Sequence, residues 1–296
     1  MLQSKNNMGK IYKTLLFDGK ISLAVIESTD IVNKAIEYHK LTPLTSACLG
    51  RTMTASIFMA SNLKNDGDKL SVSVCGDGPG GHIIVSVDSK LRVRGYIDNP
   101  EVNLPLNEKG KLDVKSCVGK GRITVVRSMG LKEPYTGSSE IISGELAEDF
   151  AFYYTISEQE PTAMALGVLV DGEGKCIGAG GIVMQALPGC DDETAKMAQE
   201  IIYKYGDISS HIRARGAKGI IEEDFKGYYF TERDTVYECI CSKEYIDSLI
   251  LSLGKEEIYD ILSEQGKISV ECQYCDKKYI YLESDVEKLL SEIENG

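Results

Sequence analysis

Tryptophan is missing from the 296 residues, proline occurs seven times and histidine three times. His39, His82 and His211 stand far apart, with no HExxH helix and no triad context, so ordinary structural roles are expected for all three. Basic residues are in deficit: 33 Lys and Arg face 45 Asp and Glu, a formal net charge of -12. That balance argues against a phosphate backbone or an anionic membrane surface as partner. No apolar run approaches the roughly 20 residues of a membrane span, and the opening MLQSKNNMGK carries no apolar core of signal-peptide length. A soluble, cytoplasmic protein with neither nucleic-acid nor membrane partners is expected. Nothing assembles a nucleophile, a base and an oxyanion site, so no enzyme is predicted. Internal repeats and low-complexity tracts are also lacking.

What the chain does have is length for two or three modest domains, and nine cysteines. Tyr12 to Phe17 and Ile21 to Ile26 read as strands joined by the turn signal Asp18-Gly19. Helices follow, one capped at Thr29 or Asp30 and ending near His39, another running from Pro43 to about Leu63. Between residues 69 and 97 the period changes to two, giving a meander of strands broken by GDGPGG and Asp88-Ser89-Lys90. Residues 98 to 121 are rich in turns, and Arg122 to Arg127 resumes as a strand. GELAEDFAFYYTISEQ reads as an amphipathic helix ended by Pro161, and strands near Ala163 to Val170 and Cys176 to Leu187 complete this part. After Pro188-Gly189 the alternation disappears. Asp191 or Asp192 caps one helix, and a second near His211 to Phe225 is weakened by Gly216 and Gly219. The fold class expected is α+β.

Glycine-rich GDGPGG and the Gly119-Lys120-Gly121 turn lack the Gly-Lys-Ser/Thr entry to a helix, so hairpin turns are preferred to phosphate loops. Acidic runs such as Glu222-Glu223-Asp224 read as solvated faces.

The strongest chemical signal lies near the C-terminus. Cys239-Ile240-Cys241 is followed, after 30 intervening residues, by Cys272-Gln273-Tyr274-Cys275. Two close pairs joined by a loop can supply four thiolates to one structural zinc ion. Buried unliganded thiols are the bland alternative. A thioredoxin-like dithiol is another, although ECQYCDKKYIYLESD looks like a turn between strands rather than a strand entering a helix. From Tyr237 onward the net charge is -8 before any metal is counted, and a four-thiolate zinc site would add about -2. A zinc module with that charge repels nucleic acid.

A disulfide within either close pair would close a loop of three or four residues, contributing about 1.5 to 2 kcal/mol. Structural zinc contributes roughly 10 to 16 kcal/mol to folding. Oxidation within both pairs would therefore cost the region most of its stability, the design of a switch. A zinc knot that merely staples the C-terminus is equally consistent with the ligand spacing.

These residues resemble the 33 kDa chaperonin family, redox-regulated heat-shock holdases of bacteria. The CxC and CxxC pairs and YECICSKEYIDSLILSLGKEEIYDIL carry the resemblance, and ACLGRTMTAS, GDGPGG, LRVRGYIDNP, GELAEDFAFYYTISEQ and GGIVMQALPG extend it over nearly the whole chain. It implies an N-terminal α/β domain at 1 to 189, a helical linker domain at 190 to 235 and a C-terminal zinc domain at 236 to 296. One zinc per reduced chain would be held by Cys239, Cys241, Cys272 and Cys275. Oxidation would pair Cys239 with Cys241 and Cys272 with Cys275 and release the metal. The zinc and linker domains would then unfold, and a homodimer would hold unfolding clients without ATP. A zinc-stapled binding module and a dithiol oxidoreductase are the competing readings. Cys48, Cys75, Cys117, Cys176 and Cys190 lie outside the motif. The first four are expected as inert core thiols; Cys190 stands between the first domain and the linker, where exposure would open it to oxidative side reactions.

Overall fold

The structure is a computed structural model that describes residues 8–130 and 133–294. Residues 1–7, which include most of the segment read for a targeting signal, lie outside the described residues. The chain divides into two compact units, Met1–Glu238 and Cys239–Gly296.

The first unit is built on one ten-stranded sheet. Its strands are β1 (Met8–Leu16), β2 (Ile21–Glu27), β3 (Lys69–Gly76), β4 (His82–Asp88), β5 (Arg92–Ile97), β6 (Gly121–Ser128), β7 (Tyr135–Glu140), β8 (Thr162–Val170), β9 (Cys176–Ala186) and β10 (Thr231–Tyr237). The order across the sheet is β7-β6-β3-β4-β5-β10-β1-β2-β9-β8. Every pairing is antiparallel except the short parallel contact of β10 with β5. The β1–β2 turn places Phe17, Asp18 and Gly19 all at positive φ, which explains the Asp-Gly signal.

Strands β7 and β10 escaped the sequence reading. In β10 the charges Glu232, Arg233 and Asp234 interrupt the apolar alternation, yet both edges of its backbone find partners, and Lys10 on β1 pairs across to Glu232 and Asp234. Expected as part of a helical stretch, residues 231 to 235 instead join the N-terminal hairpin to the meander.

Helices α1 (Thr29–His39) and α2 (Pro43–Ala60) lie against the sheet. Thr42 closes a capping box with Thr45, and Pro43 sits at the first helical position, where its missing N–H costs nothing. From Leu44 to Ala60, α2 is buried on nearly every face. Its hydroxyls are satisfied within the helix: Thr52, Thr54 and Ser56 donate to the carbonyls four residues earlier at 2.8–2.9 Å. A short α3 (Val114–Val118) breaks the turn-rich stretch. The segment GELAEDFAFYYTISEQ is less regular than expected, giving only α4 (Ala147–Tyr153) and a turn of π-helix at Tyr154–Glu158. Buried Asp149 causes the late start, accepting the N–H groups of Ile142, Ser143 and Leu146 at 2.8–2.9 Å.

GDGPGG does form the β3–β4 turn, and it locks against the second glycine turn. Asp77 accepts the Lys120 N–H at 2.7 Å, and Gly78 donates to the Val118 carbonyl. Gly119, at φ 74°, could not carry a Cβ, which would meet Asp77 Oδ1 at 2.3 Å. Close approach of backbones accounts for these glycines.

The opposite face of β1, β2, β8 and β9 is covered by α5 (Asp192–Lys204) and α6 (Ile208–Asp224). Asp191 caps α5 by accepting from the Thr194 N–H, as its position suggested. Gly216 breaks α6 with φ 66° and ψ 172°. The restarted half is capped from outside, because Glu27 on β2 accepts the Ala217 N–H at 2.9 Å. Leu16, Ile21, Leu23, Val25, Ile182 and Met184 are buried beneath these helices.

The second unit contains α7 (Lys243–Ser252), α8 (Lys255–Gln265), a hairpin of β11 (Ile268–Glu271) and β12 (Lys278–Tyr281), and α9 (Glu283–Glu294). Its core is small, formed by Ile246, Ile250, Ile258, Leu262, Ile268, Tyr281 and Val286. Among the described residues no helix is long and apolar enough to cross a membrane.

Candidate metal centre

Cys272 and Cys275 sit in the turn between β11 and β12, as the sequence suggested. Backbone bonds set the loop: the Cys272 N–H donates to the Lys277 carbonyl at 2.9 Å. The Cys275 and Asp276 N–H groups return to the Cys272 carbonyl at 3.3 and 2.9 Å. Asp276 takes the left-handed conformation, φ 55°, that such a tight reversal requires. Cys239 and Cys241 lie in the segment entering α7, whose Ser242 cap accepts the Tyr245 N–H. Tyr281 fastens hairpin to helix by donating to Asp247 at 2.5 Å.

All four predicted sulfurs converge. They lie within 4.8 Å of one another, with Cys239 to Cys272 at 3.6 Å and Cys241 to Cys275 at 3.4 Å. A disulfide would bring two sulfurs to about 2 Å; all nine cysteines are free. Four sulfurs around one zinc at about 2.3 Å would stand about 3.8 Å apart, so donor type, number and spacing all fit a closed tetrahedral site. Cys275 is buried and the other three are half-buried, which keeps the cluster within reach of a small oxidant.

Tyr279 on β12 donates to Cys241 Sγ at 3.4 Å. No motif pointed to it, because a tyrosine four residues beyond the second pair carries no ligand signal by itself. Burial pushes the Cys241 thiol up, but donation from Tyr279 and from the neighbouring thiols outweighs it and brings the group down to about 7. Burial raises Cys272 to about 11 and holds Cys275 well above the ordinary thiol range. One thiolate is thus favoured and further negative charge is resisted, the condition that a bound divalent cation relieves.

The remaining cysteines divide. Cys48, Cys117 and Cys176 are buried as expected. A hydrogen bond with Cys117 and burial together hold Cys48 well above the usual range, and burial pushes Cys176 up to about 11. Cys75 departs from the expected core position: it is half-buried at the end of β3, 3.0 Å from Ser73 Oγ. Cys190 is half-buried and contacts the Asp191 carbonyl at 3.5 Å.

The histidines stay apart, His39 meeting Tyr237, His82 meeting Asp98 and His211 meeting Arg215. Of the acidic run, Glu223 and Asp224 are tied to Arg215 at 2.7 and 2.5 Å rather than merely solvated.

The family model for the Hsp33 protein matches residues 9–281. The chain belongs to the Hsp33 family. It is 40% identical over 288 residues to the 33 kDa chaperonin of Desulforamulus reducens, covering 96% of this chain and 98% of that one. Identity to the 33 kDa chaperonin of Bacillus subtilis is 40% over 290 residues, covering 95% and 98%. The crystal structure of the 33 kDa chaperonin (heat shock protein 33 homolog) of Thermotoga maritima superposes with a TM-score of 0.85 at 32% identity, covering 98% of this chain and all of that one. The family suggested by the CxC and CxxC pairs is the family shown.

Proposed function

We propose that the chain is a chaperone, as family membership supports, and that it works as a redox-regulated, ATP-independent holdase of the cytoplasm. The carrying observation is the convergence of Cys239, Cys241, Cys272 and Cys275 in a unit whose apolar core is small. Zinc held by the four thiolates would supply most of that unit's folding energy, on the order of 10 kcal/mol. The three-part division at 1 to 189, 190 to 235 and 236 to 296 belongs to the same proposal.

In the proposed switch, peroxide takes two electrons from each pair. Cys239 bonds to Cys241 and Cys272 to Cys275, and each pair reduces one peroxide to water. The zinc-holding thiolates carry no protons, so each peroxide would take two protons from solvent to leave as two waters, and each pair would lose its hold on the metal as its S–S bond forms. Two rings of three and four residues return only about 1.5 to 2 kcal/mol each, too little to order the unit. Loss of order spreading to α5 and α6 would uncover Leu16, Ile21, Leu23, Val25, Ile182 and Met184, an apolar face suited to unfolding clients or to a second copy of the chain. Burying each such side chain is worth about 1.5 to 3 kcal/mol, which gives clients a substantial grip.

The test oxidises reduced, zinc-loaded protein with peroxide at raised temperature while following zinc release and the aggregation of a heat-denatured client. Suppressed aggregation should accompany release. Release without suppression rejects the holdase reading; activity confined to the zinc-loaded form would favour a zinc-stapled binding module instead.

A further inference from the structure

A groove of about 1050 Å³ opens in the first unit, lined among others by Lys13, Met59, Leu63, Arg127, Tyr154 and Leu187. Its volume is that of a small-molecule site. None of the four clustered cysteines lines it.

The charges around it are unevenly matched. Asp68 accepts the backbone and side-chain N–H groups of Asn65 at 3.0 and 3.2 Å. Glu158 takes Arg127 at 2.7 Å and the Tyr153 hydroxyl at 2.6 Å, and Glu160 accepts from Gln185 at 2.9 Å. Among the described residues Lys13 has no such match: its Nζ reaches Asn62 Oδ1 at 2.6 Å and Ser61 Oγ at 3.2 Å and lies 5.9 Å from the centre of the Phe58 ring, all neutral groups. Burial and the guanidinium of Arg233 both oppose its charge.

A second, independent feature is Tyr154. It is 2% exposed, and its buried hydroxyl has no hydrogen-bond partner among the described residues. Burial holds the phenol well above its usual range, so it remains an O–H donor. An unsatisfied buried hydroxyl is costly, by about 1 to 3 kcal/mol, unless a ligand or solvent group answers it. Tyr154 also opens the π-helical turn, a local irregularity that recurs at functional sites.

We infer that this groove binds an amphipathic monocarboxylate, its head group on Lys13 with the Tyr154 hydroxyl as a further donor and its tail along Met59, Leu63 and Leu187. One unmatched ammonium compensates one negative charge. A phosphate dianion would draw on a second cation beside Lys13: Arg127 is already matched by Glu158, Arg233 donates to the Ser61 and Ser89 carbonyls, and Lys64 stands exposed to solvent. The inference is independent of the redox reading, since it concerns the reduced, folded chain.

Isothermal titration of reduced, zinc-loaded full-length protein with decanoate, decanol, acetate and inorganic phosphate tests it. Decanoate should bind one per chain, about tenfold tighter than decanol, with acetate and phosphate far weaker. Lys13→Gln should reduce decanoate binding to the level of decanol, and Tyr154→Phe should weaken it severalfold. Lys64→Gln, an exposed lysine on the same groove, should leave it unchanged. Equal affinity for decanoate and decanol, tighter binding of phosphate, several decanoates per chain or unchanged binding by Lys13→Gln would overturn the inference. Should either groove variant fail to fold, methyl NMR of the unaltered protein decides: decanoate must shift Met59 and Leu63, and shifts confined elsewhere reject the site.

Discussion

The two units solve the same stability problem by different means. In the first, α2 is buried along almost its whole length, one apolar cluster lines one face of a ten-stranded sheet, and a second covers the opposite face of β1, β2, β8 and β9. In the second, a handful of side chains from three helices and a hairpin form one small core, and four sulfurs converge in the same unit. Small domains bury a low fraction of their surface and commonly depend on metals or disulfides. If the four sulfurs hold a metal as proposed, such a unit could be taken apart by chemistry at four atoms, whereas the sheet could be taken apart only by removing its core.

Metal removal should break the comparison most sharply. Chelating zinc under reducing conditions should withdraw on the order of 10 kcal/mol from the second unit. Hydrogen exchange should then show protection lost in α7, α8 and the β11–β12 hairpin, with α2 and β9 still protected. Next in size is a core truncation in the first unit. Leu49→Ala, at a fully buried position of α2, should destabilise that unit by about 2 to 5 kcal/mol in urea and leave zinc affinity unchanged.

Smaller effects test the seam between the sheet and its covering helices. Glu27→Ala removes the acceptor for the Ala217 N–H and should cost about 1 to 2 kcal/mol. Exchange should accelerate first in residues 217 to 224, and oxidation should activate this variant sooner than the parent. The smallest effect concerns pH. The Lys20 ammonium and the Thr194 N–H and hydroxyl hold the Asp191 carboxyl well below the usual range. A depressed carboxylate contributes stability that is present above the ordinary aspartate value near 3.9 and lost as pH falls through its lower folded value. Acid should therefore loosen the start of α5, and Asp191→Asn, which keeps an oxygen acceptor, should flatten that dependence in an exchange profile.

How much of this was legible in the sequence follows from how local each signal is. The β1–β2 turn, the β3–β4–β5 meander, the β8–β9 pair and the Asp191 cap all announce themselves within a few residues, and the structure places them where expected. The CxC and CxxC spacing likewise pointed to the four sulfurs that converge in the second unit, though not to the contact of Cys48 with Cys117. Strand β10 did not announce itself, because its place is fixed by neighbours more than a hundred residues away in β1 and β5. Segment 144 to 159 looked like a continuous helix because its periodicity is real, but Asp149 draws three upstream N–H groups to itself and delays the start. Tyr279 was invisible for a similar reason: only the hairpin register carries its hydroxyl to Cys241.

The most direct test of the proposed switch is hydrogen exchange on zinc-loaded protein before and after peroxide at raised temperature, with disulfide mapping on the same samples. A redox switch predicts bridges Cys239–Cys241 and Cys272–Cys275, free metal, and lost protection in α7 and α8 that spreads to α5 and α6. A second unit that remains protected once both bridges have formed and the metal has left would contradict it.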